Sequence, residues 1–309
     1  MAEIETRMEL VRTEFRAMGS RCEIVAASRD IDCTRHAMGL AAREVVRIEH
    51  KYSRYRDDSS SIVHRINAAA GSGVSIECDG ETIALFETAE RLHRLSDGLF
   101  DVTSGILRRA WDFSSGKVPS ASNIAALLPL IGWDKVEIDG IHLKLPHPGM
   151  EVDFGGLGKE YAADRAASVL AKSGVAHGYV NLGGDIRVIG PRIDGTAWRF
   201  GVQNPRNADA LIGNIELADG ALVTSGDYVK FIENNGVRFS HILNPKTGFS
   251  VSCWRSVSVV AVSTVLAGAY ATIAMLKEAD AVQFLERTGC RYLLVDAEGR
   301  CIASPKSLE

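Results

Sequence analysis

The stretch VSVVAVSTVLAGAYATIAML, residues 257–276, contains twenty residues and no charge. Its length is that of a membrane-spanning helix. However, its first half is rich in β-branched residues and alternates Ser with Val, which is typical of a buried strand. Ser263 and Thr264 favour the start of a helix, and residues 267–276 suit the helix itself. Because no aromatic belt or positive cluster flanks the stretch, we predict a buried strand, a turn and a helix, and no membrane span.

Helix and strand patterns alternate along the rest of the chain. Helix patterns occupy residues 31–52, 82–96, 123–131, 162–172 and 279–288. Strand patterns occupy residues 14–26, 136–145, 179–189, 198–203, 212–217, 238–243, 292–296 and 301–303. Turn pairs such as Asp139-Gly140 predict hairpins, and hairpins outnumber βαβ units. The predicted class is therefore α+β, with a mixed or antiparallel β core and packed helices, and residues 1–309 are expected to form a single domain.

The composition excludes several classes of protein. A hydrophobic content of 46% and a charged content of 24% are those of a globular chain. The formal net charge of -4 argues against a broad basic surface, so no nucleic-acid partner is expected. The six cysteines are scattered and form no CxxC pair, which favours reduced thiols over a disulfide framework or a zinc site. The first twenty residues lack the apolar core of a secretory signal, so a cytoplasmic location is expected.

Polar residues cluster beside glycines at five places, where we expect the chemistry to lie. These are residues 16–20, 99–103, 152–161, 181–185 and 224–249. The third cluster, VDFGGLGKEY, leads into a helix, whose free N–H groups and dipole suit a phosphate. It matches neither GxGxxG nor a P-loop, so a tight strand–helix turn explains the same residues.

Two polar residues in these clusters have a structural interpretation beside a functional one. Asp101 is either a cap or turn acceptor, or a ligand-binding carboxylate. His241 is either a structural imidazole or a group that acts on a bound molecule near neutral pH. No HxxxH or HExxH spacing occurs, so histidine metal ligands are not predicted.

Seven short motifs follow one another in an order known from one family: MGS (18–20), LFDVT (99–103), DFGGLGKEYAAD (153–164), NLGGDI (181–186), TSGDY (224–228), HILNPKTG (241–248) and AGAYAT (267–272). The series resembles the ApbE family of FAD:protein FMN transferases over about residues 15–276. The resemblance implies an enzyme that takes FAD as substrate, uses Mg²⁺, attaches FMN to a Ser or Thr of a target flavoprotein and releases AMP. The alternative is an FAD-binding protein or FAD pyrophosphatase that has lost protein flavinylation.

The resemblance also implies roles for single residues. It places contacts with FAD at Met18, Tyr55, Leu99, Phe100, Asp101, Gly155, Tyr161, Ser225 and Ile242. It implies that the backbone carbonyl of Gly158 and the hydroxyl of Thr272 ligate the metal. For the base that takes the proton of the target hydroxyl, we predict His241 first and Asp227 second.

Two departures from the family pattern concern the metal. Gly268 stands where the family has a metal-ligating Asp, and Glu160 stands where the family has Gly. Because Mg²⁺ prefers oxygen ligands and usually a carboxylate, we expect weak Mg²⁺ binding or none. Glu160 is either a replacement ligand or an exposed residue of the first helical turn. On the sequence alone, Gly268→Asp is expected to raise metal-dependent FAD turnover.

Overall fold

The computed structural model describes residues 8–55 and 60–305. The strands are β1 (Glu9–Ala17), β2 (Ser20–Ser28), β3 (Ile76–Glu77), β4 (Glu137–Asp139), β5 (His142–Lys144), β6 (Gly178–Leu182), β7 (Asp185–Ile189), β8 (Trp198–Asn204), β9 (Asn207–Leu217), β10 (Gly220–Gly226), β11 (Phe231–Asn234), β12 (Val237–Ser240), β13 (Trp254–Ala261), β14 (Arg291–Asp296) and β15 (Cys301–Ala303). The α-helices are α1 (Ile31–Tyr52), α2 (Ile62–Ala68), α3 (Gly80–Leu95), α4 (Ala121–Ala125), α5 (Gly158–Lys172), α6 (Thr264–Lys277) and α7 (Ala281–Thr288). 3₁₀ helices lie at Val102–Arg109, Leu128–Leu130, Trp133–Lys135 and Glu278–Asp280.

The largest sheet has the strand order β1-β2-β6-β7-β10-β13-β14-β15, and each strand is antiparallel to its neighbours. Alternate residues of a strand point to opposite faces of the sheet. On one face, residues such as Ile24 and Val257 pack in the core shared with α1, α5 and α6. On the other face, Val25 and Ile186 pack against the β8–β9 hairpin. The α+β class is confirmed, and the β core is antiparallel.

The uncharged stretch forms the predicted strand, turn and helix. Residues 257–261 belong to β13, which lies between β10 and β14. Ser263 is the N-cap of α6, and its hydroxyl accepts a hydrogen bond from the Leu266 N–H at 3.3 Å. In the part of the chain that the structure describes, no helix combines the length and hydrophobicity needed to span a membrane.

Two predicted strands are hairpins instead. Residues 14–26 belong to β1 and β2, which are joined by Met18-Gly19, and residues 179–189 belong to β6 and β7, joined by Gly183-Gly184. Both residues of each turn have positive φ, which is the geometry of a tight two-residue hairpin turn. The sequence indicated a glycine break within residues 14–26 but not a two-residue hairpin turn, because a non-glycine residue such as Met18 rarely adopts positive φ.

Two helix boundaries also differ from the prediction. The helix expected at residues 123–131 consists of α4 and the 3₁₀ turn Leu128–Leu130, because Pro129 supplies no N–H for a continuous helix. Helix α5 begins at Gly158, four positions before the predicted start. The extra turn places Lys159 and Glu160 on the helix and not in the loop before it.

Helix α6 is fixed to α5 by side-chain caps. The Asp164 carboxylate accepts hydrogen bonds from the N–H groups of Thr264 (2.9 Å) and Val265 (3.0 Å). The Thr264 hydroxyl donates to the backbone carbonyl of Glu160 at 2.9 Å. Because Glu160 and Asp164 lie one turn apart on α5, these contacts hold the side chain of Glu160 against α6.

Candidate functional site

A cleft with a cavity volume of about 240 Å³ lies between the start of α5, the end of β10 and helix α6. Its lining comes from residues 99–108, 153–160, 183–185, 223–229, 241–243 and 272–276. Four of the five clusters of polar residues beside glycines therefore meet in one place. The fifth cluster, residues 16–20, contributes no residue to the lining.

Nine predicted site residues line this cleft: Leu99, Phe100, Asp101, Gly155, Glu160, Ser225, His241, Ile242 and Thr272. The remaining five do not: Met18, Tyr55, Gly158, Tyr161 and Asp227. What each residue does toward FAD or a metal stays a prediction, but the structure shows which of them lie together.

Three of the five residues outside the lining have different surroundings: Tyr55 lies at the edge of the cleft, Tyr161 belongs to a separate ion-pair network, and Gly158 is buried. Tyr55 is 69% exposed, and its hydroxyl accepts a hydrogen bond from Arg108, whose side chain lines the cleft. The Tyr161 hydroxyl donates to Glu81 at 2.9 Å, in an ion-pair network with Arg47. Gly158 is the buried first residue of α5.

The other two residues outside the lining have strong partners of their own. The N–H of Met18 donates to the Glu49 carboxylate at 2.8 Å, which holds the β1–β2 turn against α1. Both oxygens of Asp227 accept from the Arg206 guanidinium, at 2.7 and 2.6 Å. This bidentate pair ties the Asp227 carboxylate to the β8–β9 turn, and the choice between His241 and Asp227 as the base stays a prediction.

Asp101 is a turn acceptor in the wall of the cleft. Its Oδ1 accepts from the N–H of Thr103 at 2.8 Å and from the Thr103 hydroxyl at 2.6 Å. Its Oδ2 accepts from the Trp133 N–H at 3.0 Å. Asp101 is therefore a turn acceptor whose carboxylate stabilises the segment that carries Phe100, and its contact with FAD stays a prediction.

Glu160 is buried and not exposed. It is 6% exposed, and Asp185, the first residue of β7, is 2% exposed. Burial raises the pKa of both carboxyl groups. The charge of Asp185 raises the pKa of Glu160 further, whereas the Lys159 ammonium group lowers the pKa of both. The interpretation of Glu160 as a solvent-exposed residue of the first helical turn is wrong, because residue 268 has no side chain and leaves room for a carboxylate.

The space beside Gly268 is filled by Glu160. A Cβ atom on residue 268 would lie 2.5 Å from Glu160 Cγ and 3.0 Å from Glu160 Oε1. Thr272 lies one turn after Gly268 on α6, and its hydroxyl is 3.1 Å from that of Ser225. The residues therefore offer two carboxylates and two hydroxyls in one cleft, a donor set that fits Mg²⁺.

Sequence reasoning missed other polar residues of the cleft. Asp185 stood only within the NLGGDI motif and received no role of its own, although a carboxylate directly before an apolar strand was a usable indication. Arg108 and Asp153 were not singled out, yet both line the cleft and their side chains approach to 3.6 Å. Lys159, which stands in the third cluster of the sequence, also lines the cleft, with Nζ 3.1 Å from Asp185 Oδ2.

His241 follows β12 and is held by one backbone carbonyl. The carbonyl oxygen of Lys230 accepts from the His241 N–H at 3.0 Å and lies 3.2 Å from His241 Nδ1. Because a carbonyl only accepts, Nδ1 carries the proton and Nε2 has a free lone pair. Burial lowers the pKa of His241 to about 4, and nearby Arg108 acts in the same direction. At neutral pH the imidazole of His241 is therefore uncharged in the folded protein.

This low pKa predicts a pH dependence of stability. An unfolded histidine takes up a proton near pH 6.5, whereas folded His241 does so near pH 4, so stability falls as the pH drops from 6.5 towards 4. Between pH 7.5 and pH 5.5, the free energy of unfolding should fall by about 1 kcal/mol more in the wild type than in His241→Asn. Urea denaturation at both pH values measures the difference. The same loss in both proteins would show that His241 titrates normally.

The fold and the cleft define an α+β protein with an oxygen-rich pocket beside cationic side chains, which suits a phosphorylated ligand. The chain belongs to the ApbE family, whose family model matches residues 18–294. The motif-based assignment to this family is thereby confirmed.

Two relatives are named FAD:protein FMN transferase. The one from Vibrio cholerae serotype O1 is 32% identical over 206 residues, covering 65% of this chain and 61% of the relative. The one from Rhodobacter capsulatus is 30% identical over 249 residues, covering 78% of this chain and 47% of the relative. The matches thus span less than two thirds of the length of these two relatives.

Two solved structures share the fold over nearly their whole length. The ApbE protein of Thermotoga maritima has a TM-score of 0.89 and 31% identity, covering 96% of this chain and 97% of its own. The flavin transferase ApbE of Vibrio cholerae has a TM-score of 0.85 and 27% identity, covering 97% and 98%. The predicted ApbE-like fold is confirmed.

Proposed function

We propose that this protein is an FAD:protein FMN transferase, which takes FAD as substrate, attaches FMN to a Ser or Thr of a target flavoprotein and releases AMP. The observation that carries the proposal is the convergence of Phe100, Gly155, Ser225 and His241 in one cleft. These residues come from four separate family motifs. The names of the relatives supply the reaction.

The cleft suits the pyrophosphate part of the substrate. The Gly155-Gly156 turn leads into α5, whose N-terminal end attracts anions. Lys159 and Arg108 add positive charges in the lining. A volume of about 240 Å³ is smaller than a typical ligand pocket, so we place the phosphates inside and the aromatic rings of FAD towards the edge, where Tyr55 is exposed.

The chemistry is phosphoryl transfer by positioning and charge neutralisation. Nε2 of His241 accepts the proton of the target hydroxyl, whose oxygen forms a bond to the FMN phosphorus as the bond to the AMP oxygen breaks. The negative charge of bound FAD would raise the pKa of His241 towards the range of an effective base. Lys159 and Arg108 stabilise charge on the phosphate oxygens.

Magnesium is part of the proposal because the oxygen donors fit it. Thr272 and the Gly158 carbonyl, the two ligands implied by the family resemblance, would hold it together with Glu160. Bound Mg²⁺ would neutralise charge on the pyrophosphate. Since Gly268 removes one carboxylate and Glu160 adds another nearby, Mg²⁺ use is expected to survive in altered form.

The proposal predicts covalent flavinylation of a target. Incubation with FAD, Mg²⁺ and a flavoprotein domain that presents an acceptor Thr should add one FMN to the target and release one AMP per FMN. Mass spectrometry of the target and chromatography of AMP measure both products. The same domain with Thr→Val at the acceptor is the matched control and should remain unmodified.

The other outcomes of this assay identify the alternative function. Free FMN and AMP without a modified target would indicate an FAD pyrophosphatase, and bound but intact FAD would indicate an FAD carrier. The replacement of the family Asp by Gly268 is the observation that favours these alternatives. Either outcome would contradict the transferase proposal.

Domain organisation and location remain proposals. A single domain over residues 1–309 is supported by the largest sheet, which contains both β1 and β15. A cytoplasmic location, the absence of a membrane partner and the absence of a nucleic-acid partner rest on the sequence arguments given above.

A further inference from the structure

Two buried carboxylates face the cleft with oxygens that lack hydrogen-bond donors. Within residues 8–55 and 60–305, Glu160 Oε2 and Asp185 Oδ2 have no hydrogen bond of acceptable geometry. Asp185 Oδ2 does lie 3.1 Å from the ammonium group of Lys159. Buried ionisable oxygens without donors are costly unless a partner compensates them, and one ammonium group does not satisfy two carboxylates.

The position of Glu160 depends on the glycine opposite it. The Glu160 side chain passes over Gly268 so closely that a Cβ at residue 268 would lie 2.5 Å from its Cγ. Thr264 and Asp164 fix α6 against α5, so a side chain at residue 268 would force the Glu160 side chain to shift. A carboxylate at residue 160 on α5 and a side chain at residue 268 on α6 therefore compete for the same space.

We infer that this chain has a divalent-cation site built on the carboxylates of Glu160 and Asp185, with the Thr272 hydroxyl beside them, and that Gly268 makes room for it. The inference deepens the proposed function, on which its role in FMN transfer rests. All three side chains line the cleft. Carboxylate and hydroxyl oxygens are the donors that Mg²⁺ and Mn²⁺ prefer.

The site differs from an all-protein metal cage. Among the described residues, no group of three or more His, Cys, Asp or Glu side chains is arranged to hold a metal. Two carboxylates with open positions are typical of Mg²⁺ sites, where water and substrate phosphates complete the coordination. The Lys159 ammonium group competes with a bound cation for the negative charge of Asp185. The affinity for the cation should therefore be modest without FAD and higher when FAD is bound.

Binding of Mn²⁺ to the FAD-free protein tests the inference without relying on activity. Electron paramagnetic resonance of free Mn²⁺ should show one saturable site per chain, displaced by excess Mg²⁺. Glu160→Gln and Asp185→Asn should each weaken binding by at least about tenfold. Glu87→Gln, an exposed carboxylate change on α3, is the matched control and should leave the affinity unchanged. Absence of saturable binding, or equal affinity in all four proteins, would overturn the site.

A second variant keeps the test informative if a single amide variant folds poorly. The double variant Glu160→Gly/Gly268→Asp moves the carboxylate from α5 to α6 and should bind Mn²⁺ with an affinity at least about tenfold above that of Glu160→Gly alone. Equal affinities of these two variants would contradict a carboxylate-dependent site. Mn²⁺ binding without FMN transfer would support the cation site and contradict the transferase proposal. FMN transfer without Mn²⁺ binding would support the transferase proposal and contradict the cation site.

Discussion

His241→Asn is expected to lower the rate of FMN transfer by about 10²- to 10⁴-fold, the usual cost of losing a general base. The Asn side-chain amide can still donate to the Lys230 carbonyl, as Nδ1 of the imidazole does at 3.2 Å. What the substitution removes is the free lone pair of Nε2, the atom that we propose accepts the proton of the target hydroxyl. FAD affinity should therefore change by less than about twofold, or about 0.4 kcal/mol.

Measurement of rate and affinity separates a general base at His241 from a hydrogen-bond donor to a phosphate oxygen of FAD. Single-turnover transfer gives the rate, and calorimetry gives the affinity for FAD. A donor to a phosphate oxygen would instead weaken FAD binding by roughly 1.5–3 kcal/mol. His142→Asn, at an exposed position in β5, is the matched control. Normal transfer and normal FAD binding in His241→Asn would leave His241 with a structural role only.

The sequence predicted the elements and motifs whose determinants are local. Residues 257–276 contain their own strand pattern and N-cap, and α1 was predicted with its observed bounds, Ile31–Tyr52. Family motifs located nine residues that line the cleft. The β1–β2 turn was missed because Met18 has a positive φ that no local pattern indicates.

The environment of the site residues was not predictable, because it depends on contacts between distant segments. Glu160 is buried because of a glycine 108 positions later in the chain and the capping contacts between α5 and α6. The Asp227 carboxylate is engaged by Arg206, which lies at the β8–β9 turn. The low pKa of His241 follows from burial in the folded cleft. Sequence motifs thus located residues that line the cleft but not their partners or their charge states.

Gly268→Asp is expected to destabilise the protein by about 2–4 kcal/mol. The new Cβ would lie 2.5 Å from Glu160 Cγ and force one side chain to move, and overpacking of this kind typically costs about 1–3 kcal/mol. A further carboxylate beside Glu160 and Asp185 adds repulsion in a buried cluster. Guanidinium denaturation measures the loss. Gly80→Asp is the matched control, because a Cβ there meets no atom within 4 Å.

The same substitution should be tolerated once Glu160 is shortened. Glu160→Gly alone should cost about 1 kcal/mol of helix propensity, offset in part because a buried carboxyl group with an oxygen lacking a hydrogen bond is removed. In the double variant Glu160→Gly/Gly268→Asp, the clash is gone and one carboxylate remains, so the two changes should couple favourably by about 1–3 kcal/mol. Additive losses in the double variant would contradict the idea that residues 160 and 268 compete for one space. A favourable coupling, together with metal-dependent turnover in the double variant, would show that this chain has moved a carboxylate from one helix to the other.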